Sequence, residues 1–540
     1  MQMRFCFFKK EGSCSMFKKY AILCAVCLGT ILSAYVSSCV NIALPNIMAA
    51  LNFNMDSVVW VSLAYMLPYG STLPLTGKLG DQFGAKKVYI IGLIIFTIAS
   101  FLCGIATNSV GMLFFRIVQG VGAGMLLPNA MAIVAATFDA HERGAALGIW
   151  SAMAAAGSAM GPTIGGYLIE NFDWRSIFFS VIPFCIISIG YALAVIPKSK
   201  RNLATKIDYF GAALLISSIS SLLIALNQGQ KEGWDSLYIV LLFYLSFASA
   251  VLFVAFELKV ANPMIEVDLF RNINFTIANL VGFISFVAFY GGMFLMPFFL
   301  KSILDYSSTT AGLVMLPMTA TMVIFAPIGG RLADCFGSRL PAFVGILMIS
   351  GALYSLDTIS PDYSARDFFF RLTLFGMGLG FTMSPLSNCA IGSLPRDKIG
   401  VGSGIFNLAK IIGGSIGVVF AETLLTRREI YHTAILKEYL NAATHSSQEL
   451  FKLLRGLWGN QGMDSTMLSE AAHGWLTGQG LLPQQYVMLK AILSQMVAKQ
   501  ATILSFQDVF HTIAFLCLCG GIIALFIQKK TVVSHSNSPE

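Results

Sequence analysis

Apolar and charged positions are segregated along this chain. Apolar windows of about twenty residues alternate with short clusters of Lys, Arg, Asp, Gly and Pro, and a helix of about twenty residues spans the hydrocarbon core of a bilayer. Fourteen windows are predicted, at about 20–44, 56–76, 87–106, 110–133, 143–168, 174–196, 207–226, 236–257, 273–300, 310–330, 340–357, 367–391, 400–424 and 506–527. An even number returns both termini to one side. One hydrophilic stretch breaks the rhythm, from about Thr426 to Ser505. Its strings RREIYHTAILKEYL and QYVMLKAILSQMVAKQATIL have amphipathic helical spacing, and GLWGNQGMDSTML between them reads as a turn-rich tip.

Composition supports a lipid-solvated chain. Of 540 residues, 56% are apolar and 11% charged, with a mean hydropathy of +0.74, where soluble domains carry about 25% charge. The soluble-enzyme classes drop out, and no HExxH, Walker-type loop or convergent acid pair suggests a membrane enzyme. The net charge of +8 is sided: 21 Lys and Arg residues fall in the tails and in loops on the terminal side, against four (Arg175, Lys231, Lys301, Arg366) in short loops on the other face. The positive-inside rule then makes both termini cytoplasmic and Thr426–Ser505 external. Five bases precede the first window, as in a signal peptide, but that window is too long for a cleaved one and reads as an uncleaved span, with Met1 or Met16 as the start. The eleven cysteines are absent from the hydrophilic stretch, so no disulfide framework is expected. His432, His445, His473 and His511 lack metal spacing and read as surface polar residues.

Two segments repeat. GKLGDQFGAKK (Gly77–Lys87) and GRLADCFGSRL (Gly330–Leu340) are offset by 253 residues, which superposes Gly77, Asp81, Gly84 and Lys86 on Gly330, Asp334, Gly337 and Arg339. Both are placed in cytoplasmic turns: the last glycine permits a tight reversal, the aspartate accepts from helix-end amides, and the bases stay at the lipid surface. A well-capped loop and a latch between two halves both suit these residues.

The doubled pattern resembles that of the major facilitator superfamily, and fourteen spans with a long external loop before the last resemble its EmrB/QacA-type drug exporters, which are drug:proton antiporters. WRSIFF (Trp174–Phe179), NPMIEVDLFRNINF (Asn262–Phe275) and GSGIFNLAKIIGGSIG (Gly402–Gly417) stand where that family has similar strings. The resemblance implies an all-α integral membrane protein of the major facilitator fold, two six-helix halves plus two inserted helices. It also implies export of lipophilic small molecules across the inner membrane by alternating access, without a cofactor. On that frame the chain divides into an N-tail (1–19), a first half (20–200), two inserted helices (201–258), five helices of the second half (259–425), an external loop (426–505) and the last helix with its tail (506–540). In relatives a similar loop accompanies a periplasmic adaptor and an outer-membrane channel; a cap over the vestibule is the alternative. Gln82, Ala85 and Cys335 stand where the family motif usually has arginine.

Several spans carry candidate chemistry. Arg116 lies in RIVQGVGAGMLLPNA, similar to a family motif whose arginine serves proton coupling, while a base that only snorkels or pairs structurally is the alternative. Gly157, Gly161, Pro162, Gly165 and Gly166 make a smooth face, a packing seam that also resembles the GPxxGG motif of exporters and is expected to serve as a sliding bearing. The family's usual acid in the first span is replaced by Val36, leaving Tyr35, Ser37, Ser38 and Asn41 as polar groups for substrate. Arg116, Arg371 and Lys410 all look embedded; three bases without that acid predict a cavity for anionic or neutral ligands, and the pairing of each base with backbone or another helix is the alternative. Proton coupling would then move to Glu422, or export would run on the membrane potential or substrate gradient. Of the forty-three phenylalanines, the clusters in 283–300 and 368–375 are candidates for a greasy lining, with lipid and neighbouring helices as the alternative surroundings. A dedicated exporter of one metabolite or siderophore, and a transport-dead receptor or scaffold, are the rival readings.

Overall fold

In lipid, backbone N–H and C=O groups must pair within the chain, which leaves helix as the only open-ended spanning structure. The computed structural model describes residues 13–198, 208–260, 263–265, 267–306, 308–359, 363, 365–395, 398–443 and 483–528, and every regular element among them is helical. These are α1 (Ser13–Leu51), a single turn α2 (Met55–Val58), α3 (Trp60–Ser71), α4 (Leu73–Phe83), α5 (Ala85–Gly104), α6 (Ser109–Thr137), α7 (Arg143–Asn171), α8 (Ser176–Val195), α9 (Tyr209–Glu232), α10 (Leu237–Glu257), α11 (Ile273–Ser302), α12 (Ser308–Phe336), α13 (Arg339–Ser355), α14 (Ala365–Gly392), α15 (Ile399–Ala443) and α16 (Pro483–Ala524). Eleven helices among the described residues are long and apolar enough to cross a membrane. The chain is an integral membrane protein.

Local sequence sets the helix ends. The side chains of Asn108 and Asp208 accept from the backbone of Gly111 and Gly211 at 2.7 and 2.9 Å, capping α6 and α9. Gly84 and Gly337, at φ +96° and +84°, turn the chain where a side chain would be strained. The repeated motif differs from its expected placement in one respect: Gly77–Phe83 and Gly330–Phe336 are the last turns of α4 and α12, not loops. The window at 56–76 is likewise divided at Thr72, between Pro68 and Pro74.

The helices pack in two groups. In the first, α1 lies on α7 and α8, α5 on α6 and α8, and α3 on α6; in the second, α12 and α13 lie on α14, and α15 and α16 on α11. The pair α9–α10 sits against α3 and α15, held together by serines: Ser218 Oγ donates to Ser246 O at 3.0 Å and Ser246 Oγ to Ser218 O at 2.9 Å. The groups meet through α4 with α15 and α7 with α12.

The hydrophilic stretch is partly a continuation of spans. The amphipathic strings at 427–440 and 485–504 are the distal end of α15 and the proximal end of α16. At about 1.5 Å per residue, a 45-residue α15 is about 67 Å long, twice a bilayer core. The tip at 456–468 and His445 and His473 lie outside the described residues, as do the N-tail bases Arg4, Lys9 and Lys10 and the C-tail bases Lys529 and Lys530.

Candidate substrate and gating site

The two motif aspartates do reach helix-end amides, and those amides belong to the opposite group. Asp81, in the last turn of α4, accepts from the backbone N–H of Gly400 and Val401 at 2.8 and 2.9 Å, at the start of α15. Asp334, in the last turn of α12, accepts from Gly144 and Ala145 at 2.8 and 2.9 Å, at the start of α7, and from Asn388 Nδ2 at 2.9 Å. Each carboxylate thus satisfies orphan amides and sits at a positive helix terminus. The crossings are backbone-close: a Cβ on Gly77 would run into Gly400 O, and one on Gly330 into Gly144 O. Ser403 Oγ donates to Pro128 O at 2.9 Å and Ser384 Oγ to Gly144 O at 2.7 Å, adding two bonds between the groups at the same end.

The motif bases act beside this contact. Lys86 Nζ donates to the carbonyls of Leu193, at 2.9 Å, and Ile196, closing the C-terminal end of α8, a favourable place for a cation. Arg339 lines a cavity with Ile522, Leu525, Phe526, Ile527 and Gln528 at the end of α16, the counterpart in the second group. Lys19 at the start of α1 bonds Asp139 Oδ2 at 2.8 Å and Glu142 Oε2 at 3.1 Å, in the turn before α7. The Lys19 ammonium holds the Asp139 carboxyl below its ordinary range.

The glycine face of α7 lies elsewhere than expected. Gly157 abuts Ile31 and Ala34, Gly161 abuts Ser38 and Cys39, and Gly165 abuts Cys39, all on α1 of the same group; nothing lies within 4 Å of a Cβ on Gly166. Pro162 falls in the same helix, its side chain outside the description. The contact of α7 with the second group is made one turn after another at Gly144 and Gly148, the latter against Ala326 and Pro327. Gly157, Gly161 and Gly165 therefore form a seam within one group in this conformation.

The three embedded bases have different fates. Arg116, 1% exposed, donates from Nε to Val61 O at 2.9 Å and from Nη1 to Gln119 Oε1 at 2.6 Å, and its guanidinium lies 4.5 Å from the Tyr65 ring centre. Gln119 passes the chain on to Ser100 Oγ at 2.8 Å. Arg371 is at the outer turn of α14, donating to Ser355 O, Asp367 O and Tyr363 Oη at 3.0, 2.7 and 3.0 Å. The expectation that it lines the cavity is corrected: it ties down the connection between α13 and α14. Lys410 is half-buried on α15, 3.2 Å from Asn407 Oδ1 and 4.9 and 5.4 Å from the ring centres of Phe286 and Phe406.

The polar groups of α1 also divide. Asn41 is exposed and its Oδ1 accepts from Ser62 Oγ at 2.8 Å, joining α1 to α3. Tyr35 and Val36 are buried in a cluster that also holds Val61, Tyr65, Phe96, Phe178 and Val181, so Tyr35 is corrected from cavity group to core. Glu422 is half-buried on α15, twelve residues beyond Lys410, and Thr426 Oγ1 donates to its backbone carbonyl at 3.0 Å. His432 and His511 meet carboxylates, Asp508 Oδ2 at 2.8 Å and Asp357 Oδ2 at 3.1 Å, and His511 is exposed as expected of a surface polar residue.

Comparison with known proteins agrees with this arrangement. The profile of the Major Facilitator Superfamily matches residues 26–418. The chain belongs to that superfamily. The multidrug transporter protein MdtP of Bacillus subtilis is 28% identical over 526 residues, covering 96% of this chain and 94% of its own. The riboflavin transporter RibZ of Clostridioides difficile is 32% identical over 418 residues, 77% of this chain and 90% of its own. The crystal structure of the human organic anion transporter MFSD10 superposes with a TM-score of 0.58 at 14% identity, covering 92% of this chain and 99% of that one, which is a likeness of fold. As a major facilitator the chain is a transporter working by alternating access, not an enzyme.

Within the superfamily frame, the gate residues that sequence reasoning passed over were detectable. RGAALGIW (143–150) and IGVGSGIF (399–406) repeat with an offset of 256 residues, pairing Gly144 with Gly400 and Gly148 with Gly404. They are the receiving ends for Asp334 and Asp81. The signal is two glycines four apart, weak alone and informative only beside the first repeat.

Proposed function

We propose that the chain is a fourteen-span exporter of the EmrB/QacA type, built of two pseudo-symmetric six-span halves with α9–α10 inserted, moving lipophilic small molecules out across the inner membrane. The observation that carries this is the reciprocal latch, Asp81 on the start of α15 and Asp334 on the start of α7. With the positive-inside orientation this end is cytoplasmic, and it is closed in the conformation described. Charge-assisted bonds to backbone amides contribute about 1.5–3 kcal/mol each, enough to bias a two-state gate yet small enough to be reversed when substrate binds. Gly77, Gly330, Gly144 and Gly400 let the helices come close enough for the carboxylates to reach. The relatives named multidrug transporters support a broad substrate range; the one named riboflavin transporter supports the second reading only as far as a dedicated transporter of one metabolite.

Coupling is the unusual part of this reading. Val36 stands where the family's usual acid would be and is fully buried in the first group. Glu422 is then the proton carrier, or the membrane potential drives export. The long ends of α15 and α16 are the surface on which a periplasmic adaptor would dock. The deciding experiment is efflux from proteoliposomes holding the wild type or Val36→Asp, with and without an imposed proton gradient. Wild-type efflux that follows the gradient and is lost in Glu422→Gln supports the Glu422 route. Efflux indifferent to the gradient removes it.

A further inference from the structure

We propose that Lys410 is the anion-recognising group of the transport site, and that it selects flat aromatic acids bearing a carboxylate or sulfonate. This rests on the export reading and narrows its substrate class. An ammonium has three N–H donors; Asn407 Oδ1, at 3.2 Å, takes one. Among the described residues no carboxylate pairs with Lys410, so two donors remain for a ligand. The other embedded bases are committed: Arg116 to a carbonyl, an amide and a ring, Arg371 to two carbonyls and a phenol.

The surroundings of the ammonium set the rest of the ligand. Ring faces of Phe286 and Phe406 flank it at 4.9 and 5.4 Å, and a ring compensates for lost water only in part. An arriving anion gains a charge-assisted bond in a low-dielectric site, where it is strongest, and a cation meets repulsion. Phe286 continues into Phe289 and Tyr290, with centroids 5.9 and 5.8 Å away, and Tyr290 is 40% exposed, so a stacking surface adjoins the charge. The place is also right for alternating access: Asn407 Nδ2 lies 3.7 Å from Met131 Sδ of α6, which puts the Lys410 turn where the two groups face each other.

The test uses the full chain in lipid nanodiscs and three ligands of one shape: 2-naphthoate, 2-naphthamide and 2-naphthylmethylammonium. The wild type is expected to bind the acid about tenfold tighter than the amide. Lys410→Met should bring that ratio to about one while amide affinity stays within about twofold, which certifies a folded site, and Lys410→Arg should keep most of the preference. Lys301→Met, at the end of α11, should leave the ratio unchanged. An acid preference that survives Lys410→Met, or a wild type that prefers the ammonium, overturns the proposal. Efflux of the same compounds separates the two levels: transport of the ammonium alone leaves export standing and sinks the anion site, and transport of none sinks both.

Discussion

Arg116 carries its charge inside the first helix group with a carbonyl, an amide and a ring for company. Because those partners are oriented for a planar guanidinium, Arg116→Met removes a second acceptor bond from the helical carbonyl of Val61 and leaves Gln119 Oε1 unpaired in a buried place, the latter at a cost of about 1–3 kcal/mol. Thermal unfolding of the detergent-purified variant, followed by tryptophan fluorescence, should therefore shift clearly downward, and Arg116→Lys should recover only part, since an ammonium cannot reproduce the fork. Lys19 is the contrast. Its partners Asp139 and Glu142 are 65% and 45% exposed, so the pair contributes under about 1 kcal/mol, and Lys19→Met should barely move the melting point. The sign of its pH dependence follows from Asp139, whose carboxyl is held below the ordinary 3.8. That contribution is present above the unfolded value and lost only as pH falls through the folded one, so the variant and wild type should respond alike between about pH 5 and 8.

Helix pairs show which glycines carry the architecture. Gly400 and Gly144 each face a carbonyl of the crossing helix, while a Cβ at Gly190 meets nothing within 4 Å. Gly190→Ala should be neutral or stabilising by up to about 1 kcal/mol, the ordinary gain of alanine in a helix. Gly400→Ala and Gly144→Ala must push backbones apart and so break the carboxylate contacts they serve. Spin-label distances between the ends of α4 and α15, or of α12 and α7, should lengthen in these variants and not in Gly190→Ala. Gly161→Val should separate α1 from α7 and lower the melting temperature while leaving the latch distances intact, because its partners Ser38 and Cys39 are in the same group. A lengthened latch in that variant would return residues 157–166 to the role of bearing between halves.

At the scale of the molecule, two latches join the same pair of helix groups. Either one left intact still holds their ends together, so Asp81→Asn and Asp334→Asn should each shift the open population modestly. The double variant should move it far more than the two single shifts combined. Electron-electron distance distributions between labels on the two groups at this end provide the readout. If the single variants already open the gate fully, the two contacts are not independent restraints.

The spans, the sidedness of charge and the repeat were legible in the sequence because each is local. A window of about twenty residues answers only to lipid, a turn answers to the φ that Gly84 or Gly337 permits, and a repeat is a comparison of two strings. Even the ends of helices were approximate for a physical reason: α15 and α16 run on past the windows at 400–424 and 506–527 without changing conformation, so hydropathy marked an end where only the amphipathic spacing carried the helix further. Partnership was decided by tertiary structure. Asp81 finds its amides 319 residues away, Tyr35 and Val36 are enclosed by a cluster drawn from several helices of the first group, and of three bases alike in sequence the packing gives Arg116 and Arg371 several partners from backbone and neighbours. Lys410 is the one of the three with a single hydrogen-bond partner among the described residues, because the rings beside it can surround an ammonium but cannot accept its hydrogens as an anion does.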